Sequence, residues 1–423
     1  MSIADQSTEG CSHYNGSSLF YFKCLGGSRR MLEVFIKSSK QREWLECLTH
    51  LEAEFKQRSA VIDEEGSFPH ENIHALRKIG YTKVTLPEEF GGSGFSLYDA
   101  ILVQETLGSF DGSTALSIGW TLMTVGELFE NRYWEPEKLA FFAEEVNNGA
   151  IINRAVSEIA TGSPIRGGRP GTNAKQLNGN WVINGRKSYT TCSPELDYFL
   201  TSAWIEEKDT VGFFLIPKDA KGLSIEENWN VIAMRGTGSH DLVLKNVVVD
   251  ESDLVEIPSY NTGFKLNGWG LLIPAAYLGI AQAARDYALH FANTHSPNSI
   301  KGTIAGLPNV QALLGEMDLE LYKARFALYG AAEAYMDKER NKTITNEALI
   351  AKHIVTNSSI TVVDKAMRLV GAKSLQLTNP LQRYYRDVRA GLHNPPMDDL
   401  TISKLAQAAI QLNESKGGIN NEN

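Results

Sequence analysis

The sequence predicts an α+β chain in three blocks: an N-terminal helical domain, a middle β-domain and a C-terminal antiparallel helical bundle. Three observations carry this. Before about residue 148, apolar residues recur at helical spacing, as at Trp44, Leu48, Leu51 and Phe55. From Ala150 to about Asp250 the chain turns into short β-rich runs punctuated by turns. After Gly263, long helical patterns with apolar stripes and short connections return, as a bundle requires. At 423 residues the chain is too long for one simple core.

The elements follow in chain order. Residues 1–30 are rich in Ser and Gly. Their apolar kernel, Leu19-Phe20-Tyr21-Phe22, is shorter than a signal-peptide core, so a disordered extension is expected, with Met31 the natural start. The first domain is set at 31–149. It has a glycine-rich loop at Pro87–Gly94 and helices at Leu97–Leu107, Ala115–Phe129 and Pro136–Val146. The β-domain is set at 150–258. Leu177-Asn178-Gly179-Asn180 before Val182-Ile183 is a hairpin signal, and further strands are expected at Tyr198–Trp204, Val211–Ile216 and Leu242–Val249. The bundle is set at 259–414, with helices at Leu271–Ala292, Val310–Tyr335, Asn346–Val370 and Asp399–Gln411. Residues 415–423 read as a flexible tail.

Composition narrows the function. A net charge of −9 with no basic block argues against nucleic acid. Cys11, Cys24, Cys47 and Cys192 form no C-x-x-C pair and no metal spacing, so reduced thiols in a cytosol are expected. The longest apolar run, Leu271–Ala284, is interrupted and too short to span a bilayer.

Two polar stretches about thirty residues apart carry the chemistry: Ala155-Val156-Ser157-Glu158-Ile159-Ala160-Thr161-Gly162-Ser163 and Asn184-Gly185-Arg186-Lys187-Ser188-Tyr189-Thr190-Thr191-Cys192. Small hydroxyl residues beside exposed backbone suit a flat heterocycle rich in carbonyls and ring nitrogens. Either stretch alone reads as a generic turn. Together, ahead of long helices, they resemble the flavin platform of the acyl-CoA dehydrogenase family, and the resemblance runs from residue 40 to residue 412. It implies the acyl-CoA dehydrogenase fold and a bound flavin, FAD by default, with FMN the alternative. It also implies that Val156 and Ser157 contact the pyrimidine side of the ring and that Gly162 and Ser163 face the substrate. Tyr189 would cover the ring beside Thr190, and Thr191 would donate toward N5. Ile159 and Pro164 depart from the family's usual proline and acid.

Met234-Arg235-Gly236-Thr237 resembles the family's R-G-S/T segment, where Arg235 reads as a surface ion pair. In the bundle, Gln311 matches the glutamine after the family's R-x-x-F-G stretch, but His295–Gly302 lacks the arginine. Arg368 and Gly371 stand in the later Q-x-x-G-G stretch. Arg368 is either a substitute cation for a flavin phosphate or a solvated helix-end charge, and Gly371 permits close backbone approach.

Dehydrogenation of an acyl-CoA across Cα–Cβ needs a carboxylate within reach of the α-proton while flavin N5 takes the β-hydride. The family's usual glutamate falls at Pro395, after Arg386-Asp387-Val388-Arg389. Its second position falls at Trp269, with Gly270 where an arginine is usual. Asp398 and Asp399 stand as the remaining carboxylates, or as an N-cap of the last helix. Leu392-His393-Asn394-Pro395 instead resembles the L-H-D-P segment of related flavin-dependent monooxygenases such as dibenzothiophene monooxygenase, in which reduced flavin and O2 form a C4a-hydroperoxyflavin. His393 and Ser163 match the His and Ser that attend it. A further histidine is replaced by Thr121 in Ser117-Ile118-Gly119-Trp120-Thr121.

The resemblance therefore implies a flavin-dependent oxidoreductase of acyl-CoA dehydrogenase type, in fatty acid metabolism, acting on an acyl-CoA and passing electrons to an electron-transfer flavoprotein. Two alternatives stand beside it: a two-component monooxygenase fed by a flavin reductase, and a flavin-binding protein without dehydrogenase activity. A cytoplasmic homodimer or homotetramer is expected, with no metal, nucleic acid or membrane span.

Overall fold

Capping sets the helix starts. The computed structural model describes residues 28–161, 168–258, 267–337 and 345–417. Helices α1 (Ser28–Glu33), α2 (Ser39–Thr49), α3 (Glu52–Glu65) and α4 (His70–Lys78) lead into α5 (Leu97–Phe110), α6 (Gly112–Asn131) and α7 (Pro136–Asn147). Ser38 and Gln41 at α2, and Ser96 and Asp99 at α5, exchange side-chain and backbone bonds, which satisfies amides that a helix start leaves open. The stripe from Trp44 to Phe55 is broken at His50–Leu51 into two helices. The predicted boundary at residue 31 falls inside α1, and that at 414 inside α12 (Asp398–Gly417). Residues 1–27 and 418–423, with most of the expected extension and tail, lie outside the described residues.

The middle segment is a mixed sheet. Its strands are β1 (Ile152–Ala155), β2 (Asn173–Leu177), β3 (Asn180–Thr190), β4 (Tyr198–Ile205), β5 (Thr210–Pro217), β6 (Leu223–Glu226), β7 (His240–Asp250) and β8 (Leu254–Glu256). They run in the order β6-β7-β3-β2-β4-β5-β8, with β1 parallel to β4. The expected hairpin is present: Leu177 pairs with Asn180, and Asn178 and Gly179 both take positive φ (52° and 80°), which suits the right-handed strand twist. Ile152, Leu200 and Leu215 pack with Val125, Leu128 and Phe129 of α6, and the Thr121 hydroxyl donates to the Ile152 carbonyl at 2.9 Å.

The bundle comprises α8 (Leu272–Thr294), α9 (Pro308–Met336), α10 (Thr345–Val370), α11 (Pro380–Ala390) and α12. Helices α5 and α8 meet at backbone distance. A Cβ at Gly279 would lie 2.2 Å from the Glu105 carbonyl oxygen, and one at Gly108 would lie 2.4 Å from that of Ala276. A buried ion pair joins α5 to α9: Arg325 Nη2 is 2.6 Å from Glu105 Oε1, and Tyr329 donates to Oε2 at 2.8 Å. Among the described residues no helix is long and apolar enough to cross a membrane. The expectation of four reduced cysteines is corrected at Cys47, which is disulfide-bonded; Cys192 is free and buried.

Gly279→Ala is expected to lower the thermal unfolding midpoint sharply, because the clash is with backbone and overpacking of this kind costs about 1–3 kcal/mol. Gly315→Ala, where a Cβ meets nothing within 4 Å, is the matched control and should leave the midpoint unchanged or slightly raised.

Candidate active site

The two polar stretches are joined by a pair of charges buried between them. Lys187 of β3 is fully buried, and its Nζ lies 2.7 Å from Glu158 Oε1 in the loop after β1. Glu158 also accepts from the Thr172 hydroxyl (2.7 Å), the Thr172 amide (3.1 Å), the Gly171 amide (2.7 Å) and the Thr161 hydroxyl (2.8 Å). Burial opposes its charge, but the bonds from Lys187 and Thr172 outweigh burial and hold the carboxyl down at about 2. Burial lowers the Lys187 pKa despite that partner. The Ser188 amide donates to the Ser157 carbonyl at 2.8 Å, so the loop that carries Val156 and Ser157 lies alongside Tyr189. Gly162 and Ser163, with Pro164, fall outside the described residues. The pair was missed in the sequence, where opposite charges within two otherwise small-residue stretches were the available signal.

Beyond Lys187 the strand departs from regular pairing. The β3–β7 register shifts between Lys187 and Thr190, and Tyr189 has φ 59°, unfavourable for a bulky residue. Cys192 and Met234 also have positive φ, and the Cys192 amide bonds to the Thr237 carbonyl. This cluster of positive-φ non-glycine backbone makes the region a candidate for function. The bulge turns the Tyr189 ring outward, 64% exposed, edge-on to Trp229 at 6.2 Å. Thr191 is buried: its hydroxyl lies 2.9 Å from Ser239 Oγ, which lies 2.8 Å from Thr237 Oγ1. Thr237 in turn donates to the Met234 carbonyl at 3.0 Å. Asn153 Nδ2 donates to the Thr191 carbonyl at 2.9 Å. Asn153 Oδ1 and Thr190 Oγ1 are buried with no partner among the described residues. Unpaired acceptor and hydroxyl groups beside an outward aromatic ring fit a flat, polar-edged heterocycle, so these residues suit a flavin.

The third stretch docks helices rather than a ligand. Among the described residues Arg235 forms no ion pair. It donates to the backbone carbonyls of Asp63 (2.5 Å) and Val231 (3.0 Å), closing the C-terminal end of α3. Asp387 of α11 accepts from the Met234 amide at 2.6 Å, and burial pushes its carboxyl up to about 7. Arg386 forks onto Asp63 at 3.0 and 2.5 Å.

No free base is present at either family position. The Trp269 indole lies where a Cβ on Gly126 would be 2.5 Å from it, and its Nε1 donates to Glu130 at 2.7 Å, a carboxylate that Tyr335 also engages at 2.7 Å. Asp398 is the first residue of α12 and is engaged by α10. It accepts from Asn357 at 2.9 Å and lies 3.0 Å from His353 Nδ1, both on α10; burial opposes its charge, but these bonds hold its pKa below the usual range. Asp399 and His393 are exposed. Among the described residues no hydrogen bond or ion pair joins any of these three to Ser157, Tyr189 or Thr191. Arg368 pairs with Asp364 one turn earlier (2.7 Å) and is 70% exposed, as the solvated-charge reading expects. Gln311 is exposed and donates to the Ala305 carbonyl. Gly371 has φ 70° with open space around it.

Three family models match: the N-terminal domain of acyl-CoA dehydrogenase over residues 44–131, the middle domain over 153–247 and the C-terminal domain over 271–394. The chain is 57% identical over 380 residues to "Putative acyl-CoA dehydrogenase YdbM" of Bacillus subtilis (strain 168), covering 90% of this chain and 100% of that one. It is 29% identical over 357 residues to L-evernosamine nitrososynthase of Micromonospora, covering 78% and 80%. Butyryl-CoA dehydrogenase from Megasphaera elsdenii superposes with a TM-score of 0.79 at 19% identity, covering 89% of this chain and 99% of the other.

Glu158→Gln is expected to lower the thermal midpoint at neutral pH by more than the double variant with Lys187→Met, because the single change strands a buried ammonium, at a cost of about 3–5 kcal/mol. In the unaltered protein the Glu158 contribution is intact above pH 4.5 and is lost as pH falls through about 2, since the folded pKa lies below the unfolded one. Acid unfolding followed with and without the double change checks this.

Proposed function

The chain belongs to the acyl-CoA dehydrogenase family of flavin-dependent oxidoreductases, and on that footing we propose a monooxygenase that receives reduced flavin, in preference to a dehydrogenase acting on an acyl-CoA. One observation carries the choice: neither family position for the catalytic base holds a carboxylate. Pro395 and Trp269 occupy the two family positions, Asp398 is held by α10, and Glu130 is held by Trp269 and Tyr335. Oxygen transfer needs no base at a substrate Cα. When bound, a reduced flavin supplies the two electrons with which O2 delivers one oxygen atom to the substrate and leaves the other as water.

The chain's own residues take defined parts in this reading. Tyr189 would cover the ring, and the Ser157–Glu158 loop, tied to β3 through Lys187, would hold its pyrimidine edge. His393, exposed on the loop after α11, would supply the proton that the departing oxygen takes up. FMN is favoured over FAD, because His295–Gly302 has no arginine and Arg368 is paired with Asp364. Gln311 and Gly371 would then lose their nucleotide role. The substrate is a small molecule, a flavin reductase is the partner, and the setting is a cytoplasmic homo-oligomer.

The second reading, α,β-dehydrogenation of an acyl-CoA in fatty acid metabolism with electrons leaving to an electron-transfer flavoprotein, is favoured by the 57% identity to a protein carrying a dehydrogenase name. Anaerobic titration of the flavin-loaded protein with a series of acyl-CoAs separates the two. No bleaching is expected, and His393→Ala should abolish oxygen incorporation while flavin binding persists. Bleaching by any acyl-CoA would restore the dehydrogenase.

A further inference from the structure

We infer that Ser239 and Thr237 act as positioning residues that turn the Thr191 hydroxyl into a hydrogen-bond acceptor, so that the site binds reduced flavin in preference to oxidised flavin. The inference rests on the flavin reading above and on the place of Thr191 beside N5 in it. It reverses the expectation that Thr191 donates.

The argument is a count of protons. Thr191, Ser239 and Thr237 form a buried chain of three hydroxyls, 2.9 and 2.8 Å apart, and each has one proton to give. The chain ends on the Met234 carbonyl, 3.0 Å from Thr237 Oγ1, which can only accept. Pointing inward, all three protons are bonded: Thr191 to Ser239, Ser239 to Thr237, Thr237 to Met234. Pointing outward, Thr237 gives to Ser239 and Ser239 to Thr191, and the Thr191 proton has no partner among the described residues. A buried hydroxyl proton without a partner is costly, so the inward order prevails. Thr191 then offers lone pairs to the site.

Flavin N5 is an acceptor when oxidised and carries a hydrogen when reduced. An N5–H adds a fourth bond to the inward chain. An oxidised N5 can accept only a proton already bonded within the chain, as when Thr191 turns away from Ser239, so its net gain is nil. Met234 can serve as a fixed end because its backbone is held from the other side, through its amide, by Asp387.

The test measures dissociation constants for oxidised FMN in air and for reduced FMN under anaerobic conditions, in the unaltered protein and in Ser239→Ala, Thr237→Val and Ser239→Thr. The unaltered protein is expected to bind the reduced form more tightly. Ser239→Ala frees the Thr191 proton to meet oxidised N5, so the preference should shrink about tenfold, which corresponds to a fall of about 30 mV in the two-electron midpoint potential. Thr237→Val should shift it in the same direction, and Ser239→Thr should keep it. A preference unchanged or enlarged in Ser239→Ala, with flavin still bound, overturns the inference. If neither flavin form binds the unaltered protein, the flavin reading falls and takes the preference with it. The direction of the chain is read independently by neutron diffraction of the flavin-free protein: a Thr191 deuterium on Ser239 is expected, and one pointing away from it overturns the assignment.

Discussion

The site depends on the ion pair between Glu158 and Lys187. Neither group has the water that would normally carry its charge, so each is tied to the other and to the polar groups around it. The carboxylate gathers both ends of its loop, through Thr161 on one side and Gly171 and Thr172 on the other, while the ammonium belongs to the strand that ends at Tyr189. A buried pair of this kind is weak evidence for stability, because desolvation cancels much of the attraction. Its value here is in registration: one loop can approach one strand in one way. The Ser157 carbonyl and the Ser188 amide meet because of it.

The rest of the site is built in backbone. Tyr189, Cys192 and Met234 sit in a region that side chains avoid, and each is held there by neighbours that lie far away in sequence. Met234 is gripped by Asp387 of α11, Cys192 is bonded to Thr237, and Arg235 locks the same turn onto the end of α3. Three blocks of the chain thus converge on one turn, so the β-domain cannot be positioned without the helices on either side of it.

Much of this was legible in the sequence, and the boundary of what was legible has a physical cause. Periodicity revealed the helices and the change to strands, and Asn178-Gly179 revealed the hairpin, because these signals are local. The two polar stretches were recognisable because small residues at fixed spacing are needed beside a flat ring. The fate of Arg235, Asp398 and Arg368 was harder to read, since a charge's partner is chosen by the folded surroundings: backbone carbonyls for the first, α10 for the second, its own helix for the third. The hydroxyl chain behind Thr191 was invisible for the same reason, as Ser239 lies 48 residues away. The break at His50 was hidden because its apolar stripe continues across it.

The meeting of α5 and α8 at Gly108 and Gly279 has a consequence for descent. Two rods pressed together with nothing but hydrogen between them cannot drift apart or closer by gradual exchange of residues. The Trp269 indole lodged against Gly126 is a contact of another kind, made by a side chain rather than by backbone. Trading that ring for a smaller side chain would leave a void beside Gly126 and take from the Glu130 carboxylate its indole donor.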